Sequence, residues 1–491
     1  MSEAPASSSK NVVTQPGPST QAVSEIDFSC RLPLLVFFIS AAIWLVIGSA
    51  FELISTLKFH KPDLLADVSW LSYGRVHPAY NNALLYGFCL QAGFGVGLWL
   101  LARLGRTPLV HRWLVTIGAM LWNLGVTVGV LGILAGDNTG FENLEMPHYA
   151  ALPVFFGYLF IGLWGVLTFH RRRERQLFVS QWFIFTALFW FPWIYSTANL
   201  LLIPFPLRGV TQAVIDWWFS QNLLGVWLGL VGLGTVFYFV PKMVKRELHS
   251  HYLALIAFWL LILFDGWGGI PNTAPVPAWM PTVSTIASIF LIVPVIAVAL
   301  NVYQTIGRFT LFVPSTPALS FVLFGVVSFI LYGVIRALGA LLDVNQVLHL
   351  TWYTPALTLL NSYGFFTMVM FGAIYYIVPQ FIGIEFPSPK LVRAHFWVAA
   401  AGVVLSVLPL LIAGIVQANQ FLDAKIPFDQ ITKSSLMFLR VSTLGDLLLL
   451  LGHLFLLRNL VGLTGRFYRA RATAAYEEVT ADLFKTAGAK P

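Results

Sequence analysis

Charge is scarce in this 491-residue chain, where Asp, Glu, Lys and Arg make up only 10% of residues, well below the share of an ordinary soluble domain. Hydrophobic residues make up 58%, and the mean hydropathy is +0.78. That balance excludes a soluble globular protein and indicates a polytopic membrane protein. Cysteine is scarcer still. Two residues, Cys30 and Cys89, can build neither a disulfide framework nor a thiolate metal site, and no Cys-x-x-Cys-His motif offers covalent attachment of a c-type haem. No phosphate-cradling loop of the Walker type occurs among the 39 glycines. Gly93, Gly95 and Gly97 ("GFGVGL") lie inside an apolar run, where close helix packing outweighs a nucleotide fingerprint. The first 30 residues lack a short apolar core followed by a small-residue cleavage site, so they read as a disordered tail and not as a signal peptide.

What the chain has in abundance is long apolar segments. A bilayer-crossing helix takes about 20 apolar residues, and twelve such segments can be cut from the sequence: 33–56, 78–104, 111–136, 148–170, 179–205, 214–240, 251–269, 279–304, 318–341, 351–378, 394–418 and 434–463. The fold class expected is therefore all-α, about twelve transmembrane helices over residues 33–463, between tails at 1–32 and 464–491. Phe (41), Trp (17) and Tyr (16) suit an aromatic-packed interior and interfacial belts, and ordinary membrane packing accounts for them equally well. Lys and Arg collect on one side of these spans, 21 against six, with Arg336 and Arg440 inside spans. The asymmetry predicts both termini in the cytoplasm. The net charge of +8 thus reports topology, and basic groups split over several short loops do not imply nucleic-acid binding.

Several patterns in one order resemble subunit I of the haem-copper oxidase superfamily, closest to the cbb-type cytochrome c oxidases. They are "YGRVHPAYNNALLYGF" (73–88), "WWFSQNLLG" (217–225) with "YFVPK" (238–242), "AFWLLILFDGWGG" (257–269), and "HLTWYTPALTLLNSYGF" (349–365) with "YYIVPQ" (375–380). The resemblance spans roughly residues 33–463 and implies a twelve-helix bundle in a bacterial inner membrane. It also implies six ligand histidines, two for a low-spin haem, one for a high-spin haem and three for copper, because imidazole is a neutral nitrogen donor suited to a dry interior.

This chain departs from that pattern at all six places. Counting from Gly74, Arg75 and Pro78, Tyr80 stands where the first low-spin haem histidine belongs; Gln221 takes a copper histidine's place beside Asn222. The paired copper histidines of the seventh span fall on Pro271 and Asn272, and the cross-linked tyrosine on Asp265. The two haem histidines of the tenth span fall on Leu357 and Leu359. Nine of the ten histidines (His60, His77, His111, His148, His170, His249, His251, His349 and His395) lie outside the expected spans or near their ends, and only His453 lies well inside one.

The favoured expectation is a pseudoenzyme: no haem or copper, no metal site and no catalytic residue, with a structural or assembly role in a bacterial respiratory complex beside cytochrome c-type subunits. Bulky Tyr80, Leu357 and Leu359 suggest that side chains refill the cofactor space. Gln221, Asn222, Asn272 and Asn361 would act as interhelical glue, ~1 kcal/mol each. Two alternatives stand. One is a divergent terminal oxidase of aerobic respiration, of the cytochrome c oxidase or nitric oxide reductase type, with haem b and copper on unusual ligands such as Tyr80 or His77. The other is a proton or small-molecule transporter using Asp265, or the helical face shared by Asp446 and His453. Asp265, Arg336, Arg440, Asp446 and His453 are ionisable groups in or near apolar spans, costly there unless paired or hydrated. They can equally be structural pairs.

Overall fold

The computed structural model describes residues 20–307 and 316–486. Among these, the regular structure is helical. Eleven helices are long and apolar enough to cross a membrane: α1 (Thr20–Lys58), α2 (Tyr73–Leu104), α3 (Arg112–Ala135), α4 (His148–His170), α5 (Val179–Leu202), α6 (Val210–Val244), α8 (Trp279–Ile306), α9 (Pro317–Gly339), α10 (Tyr353–Ile382), α11 (Pro389–Phe421) and α12 (Phe428–Thr486). The remaining expected span is the shorter helix α7 (His251–Asp265). It stops at Asp265 because Gly266, Gly268, Gly269 and Pro271 follow, residues that favour turns over helix.

Two expected boundaries change. Of the tail assigned to 1–32, residues 1–19 lie outside the described residues, whereas α1 begins at Thr20. Of the tail assigned to 464–491, residues through Thr486 continue α12 without a break. The stretch "RARATAAYEEVTADLF" carries neither Gly nor Pro to end the helix. The expected segments found the apolar part of each helix and missed its polar extension, since hydropathy is blind to helical residues outside the bilayer.

Three helices form the interior. In the most apolar stretch of α2, α6 and α10, 100%, 89% and 83% of residues are buried, against 39–56% for the other spans. Helices α3 and α4 pack as a hairpin, α11 runs along α12, and α12 returns to α1, closing the bundle. The α3–α4 crossing is close because Gly118 and Gly157 face each other: a Cβ on Gly157 would stand 2.6 Å from the Trp122 backbone nitrogen and 2.9 Å from the Gly118 carbonyl oxygen. Aromatic side chains fill the core, with Phe94 in edge-on contact with Trp122 at 5.0 Å and with Trp227 at 5.6 Å.

Four helices contain π-helical segments: Ala83–Cys89 in α2, Asn222–Trp227 in α6, Leu261–Asp265 in α7 and Leu360–Thr367 in α10. Such wide turns are rare and cluster at functional sites. They lie on the second, sixth, seventh and tenth helices, close to Tyr80, Gln221, Asp265 and Leu359.

Candidate functional site

Two cavities lie against the interior helices, and they divide the six candidate ligand positions into four and two. Gln221, Pro271, Asn272 and Leu357 line a cavity of about 320 Å³. Tyr80 and Leu359 line another of about 230 Å³. Glu142, Leu224, Thr354 and Thr358 line both. Leu357 and Leu359 serve different cavities although only one residue separates them. The refilling expected from the bulk of Tyr80, Leu357 and Leu359 is corrected here: these side chains wall the cavities without closing them.

The wall of the first cavity is a connected polar network. Arg336 Nη1 donates to Asp265 Oδ1 at 2.6 Å and to the Tyr332 hydroxyl at 3.0 Å. Gln221 Nε2 donates to the same Asp265 oxygen at 2.6 Å. Gln221, Asp265 and Arg336, far apart in sequence, thus form one cluster, and the acid's charge is neutralised within the protein. Beside it, Asn222 accepts from Trp190 Nε1 at 3.1 Å and donates to the Trp218 carbonyl at 2.8 Å. Asn361 reaches from α10 to α6, donating to the Leu224 carbonyl at 2.8 Å inside the π-helical segment of that helix. Asn272 accepts from Thr285 Oγ1 at 2.9 Å. Gln221, Asn222 and Asn361 on helices, and Asn272 in the loop after α7, therefore join neighbouring elements through side-chain hydrogen bonds. His349 sits on the same cavity wall, where burial lowers its pKa from the usual imidazole value.

The second cavity is acidic and aromatic. Glu52, Glu142 and Asp446 line it with His77, Tyr73, Tyr80 and Trp352. His77 stacks on Tyr73 at 5.3 Å, lies 5.9 Å from the Tyr80 ring and places Nδ1 3.6 Å from Glu52 Oε2. Asp446 Oδ1 accepts from Ser406 Oγ at 2.9 Å.

The structure corrects three expectations. Asp446 and His453 share a helical face but make no pair: His453 Nδ1 is 2.6 Å from Ser49 Oγ, its ring stacks on Tyr363, and it lines neither cavity. Arg440 is exposed on α12 rather than facing the bundle interior. His395 is fully buried, with Nδ1 2.9 Å from the Tyr375 hydroxyl. Helix α11 begins several residues before the apolar stretch, so His395 sits deeper than its place in the sequence suggests.

Sequence reasoning passed over Glu52 and Glu145. Glu52 is the one acidic residue in the expected span 33–56, which was a usable signal. Glu145 lies between α3 and α4, 6% exposed, and accepts from Asn82 Nδ2 at 2.9 Å; nothing in its neighbourhood announced that loop as buried.

The side chains present do not fit the metals that the resemblance implies. A bis-imidazole haem needs nitrogen donors at Tyr80 and Leu359, and these supply a phenol and a hydrocarbon. A copper held by three imidazoles would meet an amide, a proline and a second amide. Among the described residues, no group of three or more His, Cys, Asp and Glu side chains is placed to hold a metal ion.

Comparison with known proteins gives a consistent picture. The family model described as "Cytochrome C and Quinol oxidase polypeptide I" matches residues 33–448. The chain is similar to the cbb3-type cytochrome c oxidase subunit CcoN1 of Stutzerimonas stutzeri, 28% identical over 397 residues covering 78% of this chain and 82% of that one. It is also similar to cytochrome c oxidase subunit 1 of Rhodobacter capsulatus, 25% identical over 455 residues covering 86% and 83%. A solved haem-copper terminal oxidase dimer shares its fold, with a TM-score of 0.69 at 16% identity, covering 88% of this chain and 84% of that one.

Proposed function

This chain belongs to the cytochrome c and quinol oxidase polypeptide I family, the subunit I fold of haem-copper oxidases, and from that premise we propose that it is a multi-pass membrane subunit that carries no haem or copper and catalyses no oxygen reduction. Its role is then structural: a membrane-embedded scaffold or assembly subunit of a bacterial respiratory complex, in the inner membrane with both termini cytoplasmic, beside cytochrome-bearing partners.

One observation carries this reading. The six positions where the family resemblance places ligand imidazoles lie on two cavity walls, and they present a phenol, two amides, a proline and two leucines. The two fully buried histidines, His395 and His453, lie outside both cavities and are bonded to Tyr375 and Ser49. The Asp265–Arg336–Gln221 network supports it further, because it holds the side chain at the copper-histidine position, Gln221, in an internal hydrogen bond to Asp265.

The deciding experiment is a pyridine haemochrome assay with copper analysis on the protein purified from its native membrane. We expect no Soret band, substoichiometric copper, and cytochrome-bearing proteins in the same preparation. Stoichiometric haem b or copper in the isolated chain would overturn the proposal. A second reading, a divergent terminal oxidase, is favoured by the position of His77 next to Tyr80 on the wall of the second cavity. That reading requires a haem signal that disappears in His77→Ala.

A further inference from the structure

The second cavity is rich in acidic groups and has no fixed positive charge on its wall. Three carboxylic acids, Glu52, Glu142 and Asp446, line it, and no lysine or arginine does. A protonated His77 would offset one of the three. Glu142 lines the first cavity as well, but that wall also carries Arg336, a fixed positive charge paired with Asp265 behind it.

One of the acids is only partly satisfied. Asp446 is only 5% exposed; Oδ1 accepts from Ser406, while Oδ2 has no hydrogen-bond partner. A buried carboxylate oxygen without a donor is unfavourable, and a donor arriving from the cavity offsets that cost. The surrounding wall is aromatic, with Tyr80 and Trp352 facing the same space, and ring faces attract cations. The cavity opens beside Tyr73, 40% exposed, and His77, whose side chain is 37% exposed.

We propose that this cavity binds a small alkyl diammonium ion, with the N–H groups of one end on Asp446 Oδ2 and Glu52, its carbon chain against Tyr80, Trp352 and Leu359, and its second primary ammonium toward Glu142. The unpartnered oxygen selects the primary amine, since a quaternary ammonium has no N–H to give it. The inference rests on the cofactor-free reading, because a haem would occupy the same space.

Equilibrium dialysis of the purified full-length protein with radiolabelled putrescine at neutral pH tests it. Saturable binding of one putrescine per chain is expected, displaced by unlabelled putrescine and not by butanediol or tetramethylammonium. Asp446→Asn, nearly isosteric, should weaken binding about tenfold through loss of one charge-assisted contact. Arg440→Gln, on an exposed position away from the cavity, should bind as the wild type does. If Asp446→Asn does not fold, Glu52→Gln decides in its place by the same tenfold criterion. No saturable binding, equal displacement by butanediol, or unchanged affinity in the acid variants would overturn the proposal. A haemochrome assay on the same sample separates the two claims. A haem-free sample that does not bind putrescine defeats the amine site alone, whereas a haem-bearing sample defeats the cofactor-free reading and this inference with it.

Discussion

Arg336 on α9 and Asp265 at the end of α7 meet at 2.6 Å in the bundle, with side chains only 11% and 3% exposed. The arginine is the one guanidinium on the wall of the first cavity, and the acid occupies the position that the family resemblance gives to a cross-linked tyrosine. An ion pair taken out of water is strongly coupled: losing one partner leaves the other charged and buried.

Arg336→Met should therefore destabilise the protein by ~3–5 kcal/mol, and the double change Asp265→Leu with Arg336→Met should recover most of that loss. Thermal unfolding in detergent of the wild type, both singles and the double measures the coupling. Additive effects in the double variant would show that the pair does not act as a unit.

Glu145 makes stability depend on pH in an unusual direction. Burial pushes its carboxyl up to about 7 from an ordinary 4.5, only partly countered by hydrogen bonds to the carboxylate, including the one from Asn82. A raised pKa means that the fold favours the protonated acid. Its stabilising contribution is complete below about pH 4.5 and is lost as pH rises through 7. Glu145→Gln should melt like the wild type in acid and be more stable by ~3 kcal/mol in mild alkali, the free-energy equivalent of this shift. Parallel melting curves across that range would refute the assignment.

Gly157→Ala tests the α3–α4 crossing. The added methyl would meet backbone atoms, 2.6 Å from the Trp122 nitrogen, and backbone cannot rotate away as a side chain can. We expect a loss of ~1–3 kcal/mol, typical of overpacking, whereas Ala at Gly74, which has open space around it, should change little beyond helix propensity.

Asn361→Leu removes the donor that serves the Leu224 carbonyl at 2.8 Å. The shape is nearly preserved, so a loss of ~1 kcal/mol would report the hydrogen bond itself. Unfolding in denaturant gives the value, and no change would mean that the carbonyl finds another donor.

How much of this was legible without coordinates differs by level. The helices were readable because hydrophobic length is a one-dimensional property; even the short seventh helix lay under an expected span. The polar ends of α1 and α12 were not, since helical residues outside the bilayer carry no hydropathy signal. At the site, the motif register placed Tyr80, Gln221, Asp265 and Leu359 next to the cavities and the wide turns. What no linear reading could supply was the joining of Asp265 to Arg336, 71 positions apart, or the separation of Asp446 from His453. Both depend on which helices are neighbours. The persistence of the cavities also escaped prediction, because large side chains close a space only when they point into it.

The wide turns have a consequence for how such a bundle can change. A π-helical turn holds one residue more than the α-helical turn it replaces, so the feature is written in chain length as well as in side-chain identity. Point substitutions leave that extra residue in place. Deleting a single residue from Leu360–Thr367 can be absorbed by closing the wide turn to an α-helical one, whereas a deletion in the regular part of α10 would rotate everything that follows by about 100°. The bundle can therefore exchange the chemistry of its walls one residue at a time while each wide turn persists as a separate feature of chain length.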